Sequence, residues 1–190
     1  MRDRRRQLLR AVLVTALLTV GVVAAVPTAA HAADRARIVD VAYNQWSDPS
    51  HNHEIGGYNC NFFTSYFVSG SAGCTNGWRT QEWCADFARF VWGRAGVAYT
   101  GQLTPAAYSF YAYGVNHGTW HGGNLSGIQP GDVIVYALGY YGPGTARHVA
   151  IYVGNSLVIS GNAGPNTNEV YRQLTSSLGY LGVSGYTRPV

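Results

Sequence analysis

The sequence contains no lysine, a single methionine and few charged residues, which make up 12% of its 190 residues. The 13 arginines give a formal net charge of +4, but five of them precede Ala33. After that point eight arginines balance eight carboxylates, so most of the chain is close to neutral. Proteins that bind nucleic acids need clustered cations to neutralise phosphates. The lack of such a cluster argues against that class.

Signs of disorder, of repeats and of low complexity are also missing from the sequence. Hydrophobic residues make up 47% of the chain, aromatic residues 13%, and 24 glycines supply turns. This composition is typical of a compact globular protein and not of a disordered chain, a collagen or a coiled coil. No linker divides the sequence after its first thirty residues. We therefore expect a single globular domain over residues 33–190.

No apolar run is long enough to cross a membrane, which takes about 20 residues. The longest run, residues 11–26, follows a cationic stretch at residues 2–10 and precedes the small residues Ala30 and Ala32. This order predicts a secretory signal peptide over residues 1–32. The arginines also resemble a twin-arginine export signal, so both export routes stay open. We expect a protein secreted by a bacterium, extracellular or in the cell wall, with no membrane contact after cleavage.

Cysteine is scarce and odd in number, with only three residues and therefore three formal pairings. Disulfides persist outside the cell, so an exported protein is expected to use them. Cys60 and Cys74 enclose a segment rich in Gly, Ser and Asn, and a disulfide that closes a loop of about 15 residues contributes roughly 3 kcal/mol. Cys84 lies at the start of a predicted helix. We predict a disulfide between Cys60 and Cys74 and a free thiol at Cys84.

Helical patterns dominate the first half of the chain. Apolar residues at helical spacing follow Asp34, which is placed to cap a first helix. Residues 48–77 are polar and rich in glycine, and we predict a long loop or an irregular hairpin there. The strongest helical pattern begins at Thr80 as the N-cap and ends at Gly96. A further helix is predicted over residues 104–114, with proline in its first turn.

Strand periodicity dominates the second half of the chain. We predict strands over residues 132–138, 148–153, 157–160, 169–173 and 183–187. Helices that come first and strands that come afterwards predict an α+β fold, with N-terminal helices packed on a C-terminal antiparallel β-sheet.

The position of Cys84 is suited to a nucleophile. It lies about four residues into its predicted helix, where the positive end of the helix dipole favours a thiolate. The alternative is an inert cysteine packed beside Trp83 and Phe87. Export and the odd number of cysteines together favour the reactive thiol.

A base for this thiol is expected on the strand that begins at His148. Alternating apolar residues on this strand and the next fix their register, and a three-residue turn between them puts Val153 opposite Leu157. In the same register His148 lies opposite Asn162. The amide oxygen of Asn162 can then accept a hydrogen bond from one ring nitrogen and leave the other nitrogen facing the thiol.

The sequence thus proposes Cys84, His148 and Asn162 as nucleophile, base and orienting residue, the roles of a papain-like triad. A histidine at the end of a strand is more often structural, which is the alternative for His148. A β-bulge at Gly161 would change the register on which the role of Asn162 depends.

Four motifs follow one another along the chain: WCADFA at residues 83–88, PGDVI at 130–134, RHVAIYVG at 147–154 and GYTRP at 185–189. Together they resemble CHAP domains, the cysteine, histidine-dependent amidohydrolases/peptidases. The resemblance implies a papain-like fold and a cofactor-free hydrolase that cleaves an amide bond of peptidoglycan, as an amidase or as an endopeptidase.

One position departs from the CHAP pattern. Many CHAP domains carry Glu where this chain has Ser160, while Asn162 is kept. A serine supplies no negative charge to stabilise an imidazolium. The alternative function is therefore a catalytically inactive module, CHAP-like in fold, that binds the cell wall or a partner. A toxin or protease that acts on another organism is a third possibility with the same chemistry.

Three further residues are predicted to contact the substrate. Trp78 and Trp120 stand next to glycines in predicted loops, where an indole ring can stack on a sugar, and His121 is placed at the rim of the cleft. The choice between amide bonds is expected to lie in the loops at residues 99–103 and 139–145. We expect peptidoglycan as the partner of a monomeric protein.

Two groups of histidines invite comparison with a metal site. One contains His51, His53 and Glu54, and the other pairs His117 with His121 at helical spacing. Glycines around the second pair disfavour a helix, and neither group has a cysteine at metal-ligand spacing. We therefore predict surface histidines, with no metal and no cofactor.

Overall fold

The computed structural model describes residues 33–67, 73–75 and 79–190. The predicted signal peptide and Trp78 lie outside the described residues. Within them the helices are α1 Arg35–Ser47, α2 Phe62–Phe67, α3 Cys84–Ala95 and α4 Tyr108–Asn116. The strands are β1 Trp120–Gly122, β2 Val133–Tyr136, β3 His148–Gly154, β4 Leu157–Ala163, β5 Glu169–Leu174 and β6 Val183–Thr187. This arrangement confirms the predicted α+β fold.

The strands form one antiparallel sheet in the order β1-β6-β2-β3-β4-β5. The five predicted strands are present, with ends that differ by a few residues. The short strand β1 was not predicted, and it pairs with β6 at the edge of the sheet. Two 3-10 turns, Thr100–Gln102 and Thr175–Leu181, complete the regular structure of the described residues.

The starts of α1 and α2 are set by side-chain hydrogen bonds, whereas α3 and α4 have no side-chain cap. Asp34 caps α1 as predicted, since its carboxylate accepts a hydrogen bond of 3.0 Å from the Arg37 N–H. Helix α2 lies in the region predicted as a loop, and the Asn61 carboxamide oxygen caps it by accepting the N–H groups of Phe63 and Thr64 at 2.8 and 3.1 Å. Helix α4 begins at Tyr108 and not at the predicted residue 104.

The helix predicted from Thr80 begins only at Cys84. The preceding residues are held to the first turn by Asp86, whose carboxylate accepts hydrogen bonds from Gln81 at 2.8 Å and from Arg79 at 3.2 Å. These contacts stabilise an irregular segment with a bend at Gln81 ahead of the helix, instead of another helical turn. The helix ends as predicted at Gly96, which adopts the left-handed conformation with φ of 83°.

The main core lies between the helices and one face of the sheet. It contains the aromatic side chains of Phe63, Trp83, Phe87, Trp92 and Phe110, with Val149, Ile151 and Ile159 from the sheet. Gly161 in β4 lets α3 approach closely, because a Cβ atom there would lie 2.6 Å from the Trp83 ring. The close approach places the first residues of α3 against β4.

A smaller core covers the opposite face of the sheet. Its buried members are Ile134, Tyr136, Ala150, Val158, Leu178 and Tyr186. Leu178 belongs to the 3-10 turn Thr175–Leu181, which therefore covers the face that the helices leave open. The central strand β3 thus contributes side chains to two cores.

All three cysteines lie in the described part of the chain. Cys60 and Cys74 form a disulfide, with Cα atoms 5.8 Å apart, and Cys84 is a free, buried thiol. The predicted pairing is confirmed. Among the described residues, no helix is both long and apolar enough to span a bilayer.

Candidate active site

Cys84 is the first residue of α3, and its side chain is only 5% exposed. Its sulfur accepts hydrogen bonds from the backbone N–H groups of Val149 and Ala85. Val149 directly follows His148 at the start of β3. The nucleophile helix and the histidine strand therefore meet at the sulfur.

Two cavities meet at Cys84. The first, of about 170 Å³, brings together Cys84, His148 and Asn162, the three residues that the sequence proposes as a triad. The second has a volume of about 200 Å³ and also contains Cys84, together with Tyr108 from α4. Cys84 therefore lies where the two cavities adjoin, and we refer to them together as the cleft.

His148 is 9% exposed and lies opposite Tyr136 in the pairing of β3 with β2. The centroids of the two rings are 6.0 Å apart. The Nε2 atom of His148 is buried and has no hydrogen-bond partner among the described residues. The imidazole therefore lines the cavity, but its Nε2 atom does not donate to the Asn162 amide oxygen as the sequence predicted.

The pairing of β3 with β4 follows the predicted register in the middle of the strands, where Ile151 faces Ile159. At the turn, however, Leu157 pairs with Gly154, so the predicted pair with Val153 is wrong. The turn contains only two residues, Asn155 and Ser156, and not three. Their φ values of 52° and 58° are those of the tight hairpin that matches the twist of the strands.

Asn162 lies at the cavity but contacts a different partner. The ladder of β4 is irregular between Ser160 and Ala163, and Asn162 within that bulge has a φ of 52°. Its amide oxygen accepts a hydrogen bond of 3.2 Å from the Trp83 N–H. Its amide nitrogen donates to Asn59 at 3.3 Å. The predicted bond from the imidazole is not formed, because the bulge turns the amide towards the start of α3.

The electrostatics of the site are dominated by burial. Burial raises the pKa of Cys84 to about 12, and the negative charges of Glu82 and Asp86 act in the same direction against the two backbone N–H donors. Burial also lowers the pKa of His148 to about 4, assisted by the charge of Arg147. At neutral pH the resting pair is therefore a thiol and a neutral imidazole. The thiolate expected from the helix dipole is outweighed by desolvation.

The predicted substrate contacts are not gathered at Cys84. Trp120 and His121 lie in β1, which β6 and β2 separate from β3. Trp120 packs edge-on against Tyr111, and His121 stacks on Tyr186 at 4.7 Å. Neither residue lines the two cavities at Cys84. Trp78 lies outside the described residues.

The sequence reasoning missed two charged residues of the cleft. Glu82 and Arg147 each line both cavities. Arg147 lies over the ring of Tyr140 at 4.8 Å, and its place beside His148 in the sequence was the available signal. The predicted specificity loop at residues 139–145 does reach the cleft, because Tyr141 lines the second cavity.

The histidines considered as metal ligands have other neighbours. His51 stacks on Phe62 with ring centroids 3.9 Å apart, and a ring nitrogen of His117 lies 3.0 Å from the Gln102 carboxamide oxygen. Over the described ranges, no three His, Cys, Asp or Glu side chains are grouped closely enough to hold a metal ion.

No protein-family model matches the chain, and no curated protein sequence matches it. Solved structures do resemble it. NlpC2 from Trichomonas vaginalis is 19% identical, with a TM-score of 0.51 over 85% of this chain and 48% of that one. The peptidoglycan hydrolase RipB from Mycobacterium tuberculosis is 21% identical, with a TM-score of 0.48 over 81% of this chain and 63% of that one.

The NlpC/p60 domain of the peptidoglycan hydrolase SagA is 18% identical, with a TM-score of 0.47 over 81% of this chain and 97% of that domain. The match to NlpC2 shows a shared fold. The chain spans about half the length of NlpC2 and 44% of its relative NlpC1. NlpC1, NlpC2 and the SagA domain carry NlpC or NlpC/p60 in their descriptions and none of these neighbours is described as a CHAP domain, so a specific CHAP domain stays a prediction.

Proposed function

We propose that this protein is an exported cysteine hydrolase that cleaves an amide bond of peptidoglycan, as an amidase or an endopeptidase. The observation that carries the proposal is the meeting of a free Cys84 thiol and the His148 imidazole at one cavity, with the sulfur at the first residue of a helix. Peptidoglycan as the substrate follows from the resemblance of the sequence motifs to CHAP domains.

The reaction begins from the neutral pair. As the Cys84 sulfur attacks the carbonyl carbon, His148 takes the thiol proton, so that charge develops only when substrate fills the cleft. The backbone N–H of Val149 donates to the sulfur and stabilises its developing negative charge. Desolvation that raises the pKa of the free thiol then also strengthens this interaction.

The carbonyl oxygen becomes an oxyanion beside the first turn of α3. N–H groups there, including that of Cys84, have no acceptor within the helix and can donate to the oxyanion. The C–N bond breaks as His148 returns its proton to the leaving amine, which leaves a thioester on Cys84. A water molecule that gives its proton to His148 then hydrolyses the thioester and restores the thiol.

In our proposal Asn162 supports this chemistry by holding the backbone next to the nucleophile and not by holding the imidazole. By accepting the Trp83 N–H, it fixes the residue immediately before the nucleophile. Glu82 and Arg147 flank Cys84 at the cleft and provide one anion and one cation for a charged peptide stem.

The test measures the release of soluble fragments from purified peptidoglycan. Cys84→Ala is expected to reduce the rate by at least about 10³-fold, because it removes the nucleophile. The matched control is the double variant Cys60→Ala with Cys74→Ala, which also removes sulfur but leaves the site intact. It is expected to lower stability by roughly 3 kcal/mol and to keep activity at low temperature.

Mass spectrometry of the fragments identifies the bond that is cut. New N-terminal alanines indicate an amidase, and new glycine or diamino-acid ends indicate an endopeptidase. Hydrolysis by Cys84→Ala at the native rate would contradict the proposal. Binding to the wall by the wild-type protein without any release would support the inactive module instead.

A further inference from the structure

Three buried polar atoms next to the candidate site have no hydrogen-bond partner among the described residues. They are the Tyr136 hydroxyl, the His148 Nε2 atom and the Ser160 hydroxyl. Buried polar groups in folded proteins are almost always hydrogen-bonded to protein or to ordered water. An unpartnered nitrogen on the proposed catalytic base and two unpartnered hydroxyls on neighbouring strands therefore require an explanation.

The strand register places these three residues together. Tyr136 in β2 lies directly opposite His148, so both side chains lie on the same face of the sheet. The pairing of Ile151 with Ile159 puts Ser160 opposite Ala150, which is two residues along β3 from His148 and on the same face. His148 therefore has a hydroxyl-bearing residue on each neighbouring strand, with Tyr136 directly opposite and Ser160 diagonal to it.

The surroundings of these groups are buried and largely apolar. Tyr136 and Ser160 are fully buried, and Leu178 and Leu181 pack in the core that contains Tyr136. Burial raises the pKa of Tyr136, so its hydroxyl stays protonated at neutral pH. Asn162 was expected to hold the imidazole, but its amide oxygen accepts a hydrogen bond from the Trp83 N–H instead.

We propose that Tyr136 and Ser160 are the positioning residues that hold Nε2 of His148 through one shared water. The inference rests on the proposed function, in which His148 takes the Cys84 proton. For Nδ1 to accept that proton, the neutral ring must carry its own proton on Nε2, and that N–H needs an acceptor. A water supplies an acceptor without adding charge, and two hydroxyls together with Nε2 give it the polar partners that a buried water needs.

The test combines nitrogen NMR of His148 with kinetics in Tyr136→Phe, Ser160→Ala and the double variant. In the wild type at pH 7 we expect one tautomer, with the proton on Nε2. In the double variant we expect a mixture of tautomers. The kcat is expected to fall about tenfold for each hydroxyl removed while KM changes less than twofold.

Tyr186→Phe is the matched control. Tyr186 is a buried tyrosine in the same core, but its hydroxyl donates to the Ser126 carbonyl oxygen at 2.8 Å and not towards His148. Its removal should leave the tautomer and kcat unchanged. Unchanged tautomers in the Tyr136 and Ser160 variants would overturn the inference, as would equal effects from Tyr186→Phe. If the variants change the tautomer but the wild-type protein has no hydrolase activity, the positioning is supported and the proposed function is rejected.

Discussion

The two faces of the sheet differ most along the central strand β3. On the helix side, Val149 and Ile151 pack in an apolar core with the aromatic rings of α3. On the other side, Ala150 lies in a smaller core, and the same face ends at His148 beside two unpartnered hydroxyls. One face therefore stabilises the fold, and the other carries polar groups that burial leaves poorly satisfied. Polar groups that cost stability in this way are often kept for function.

The largest expected effect is on the helix side. Ile151→Ala should lower the free energy of unfolding by about 4 kcal/mol, because Ile151 is fully buried and the truncation leaves a cavity. Denaturant unfolding measures the loss. Leu174→Ala, at a residue that is half exposed, should cost less than about 0.5 kcal/mol. Similar losses from both variants would remove the distinction between core and surface.

The next effect concerns the contact between α3 and β4. Gly161→Ala should destabilise the protein by about 2–3 kcal/mol, because the new methyl group would lie 2.6 Å from the Trp83 ring and 2.7 Å from Phe87. Thermal unfolding reports the change. Gly101→Ala is the control, since a Cβ there meets nothing within 4 Å. A Gly161 variant as stable as the Gly101 variant would show that α3 can move away freely.

The third effect is a pH dependence from the opposite face. The pKa of His148 is about 4 in the folded protein and about 6.5 when unfolded, so the unfolded chain binds the extra proton first. Stability from this residue is fully present above pH 6.5 and is lost as pH falls towards 4, by up to about 3 kcal/mol. Arg147 adds to the shift, and Tyr136 stays neutral over this range.

His148→Gln isolates this pH dependence. The difference in unfolding free energy between wild type and variant should shrink or change sign from pH 7 to pH 4. The contributions of the other titrating groups are the same in both proteins and cancel in this difference. A difference that does not depend on pH would mean that His148 is not buried as a neutral ring.

The smallest expected effect on stability comes from Ser160→Ala, at less than about 1 kcal/mol. The lost hydrogen bond is offset because a buried hydroxyl no longer has to be desolvated. Chemical denaturation checks this value in the same variant that is expected to lose activity about tenfold. A large loss of stability would assign Ser160 to the fold and not to the site.

The elements that local periodicity determines were predictable from the sequence. Alternation over β3 and β4 gave the register of Ile151 with Ile159, and Gly96 marked the end of α3. The disulfide could be predicted because the chain has three cysteines and the helical pattern placed Cys84 at the start of a helix, which left Cys60 and Cys74 as the pair. These features depend on residues that are close in sequence or on simple counting.

The features that depend on distant contacts were not predictable. The first turn of α3 is shortened because Asp86 binds Arg79 and Gln81. Asn162 turns away from His148 because β4 bulges, and alternation contains no signal for a left-handed residue within a strand. The place of Tyr136 beside His148 required the pairing of β2 with β3, whose register no short turn fixes.

The burial of Cys84 also has a consequence for oxidative folding. Thiol–disulfide exchange requires an accessible thiolate, and a buried sulfur with a pKa of about 12 is almost entirely protonated. Once α3 has packed, the lone thiol is a poor attacker of the Cys60–Cys74 bond. The desolvation that keeps the sulfur protonated until substrate binds therefore also slows disulfide exchange between Cys84 and the Cys60–Cys74 bond.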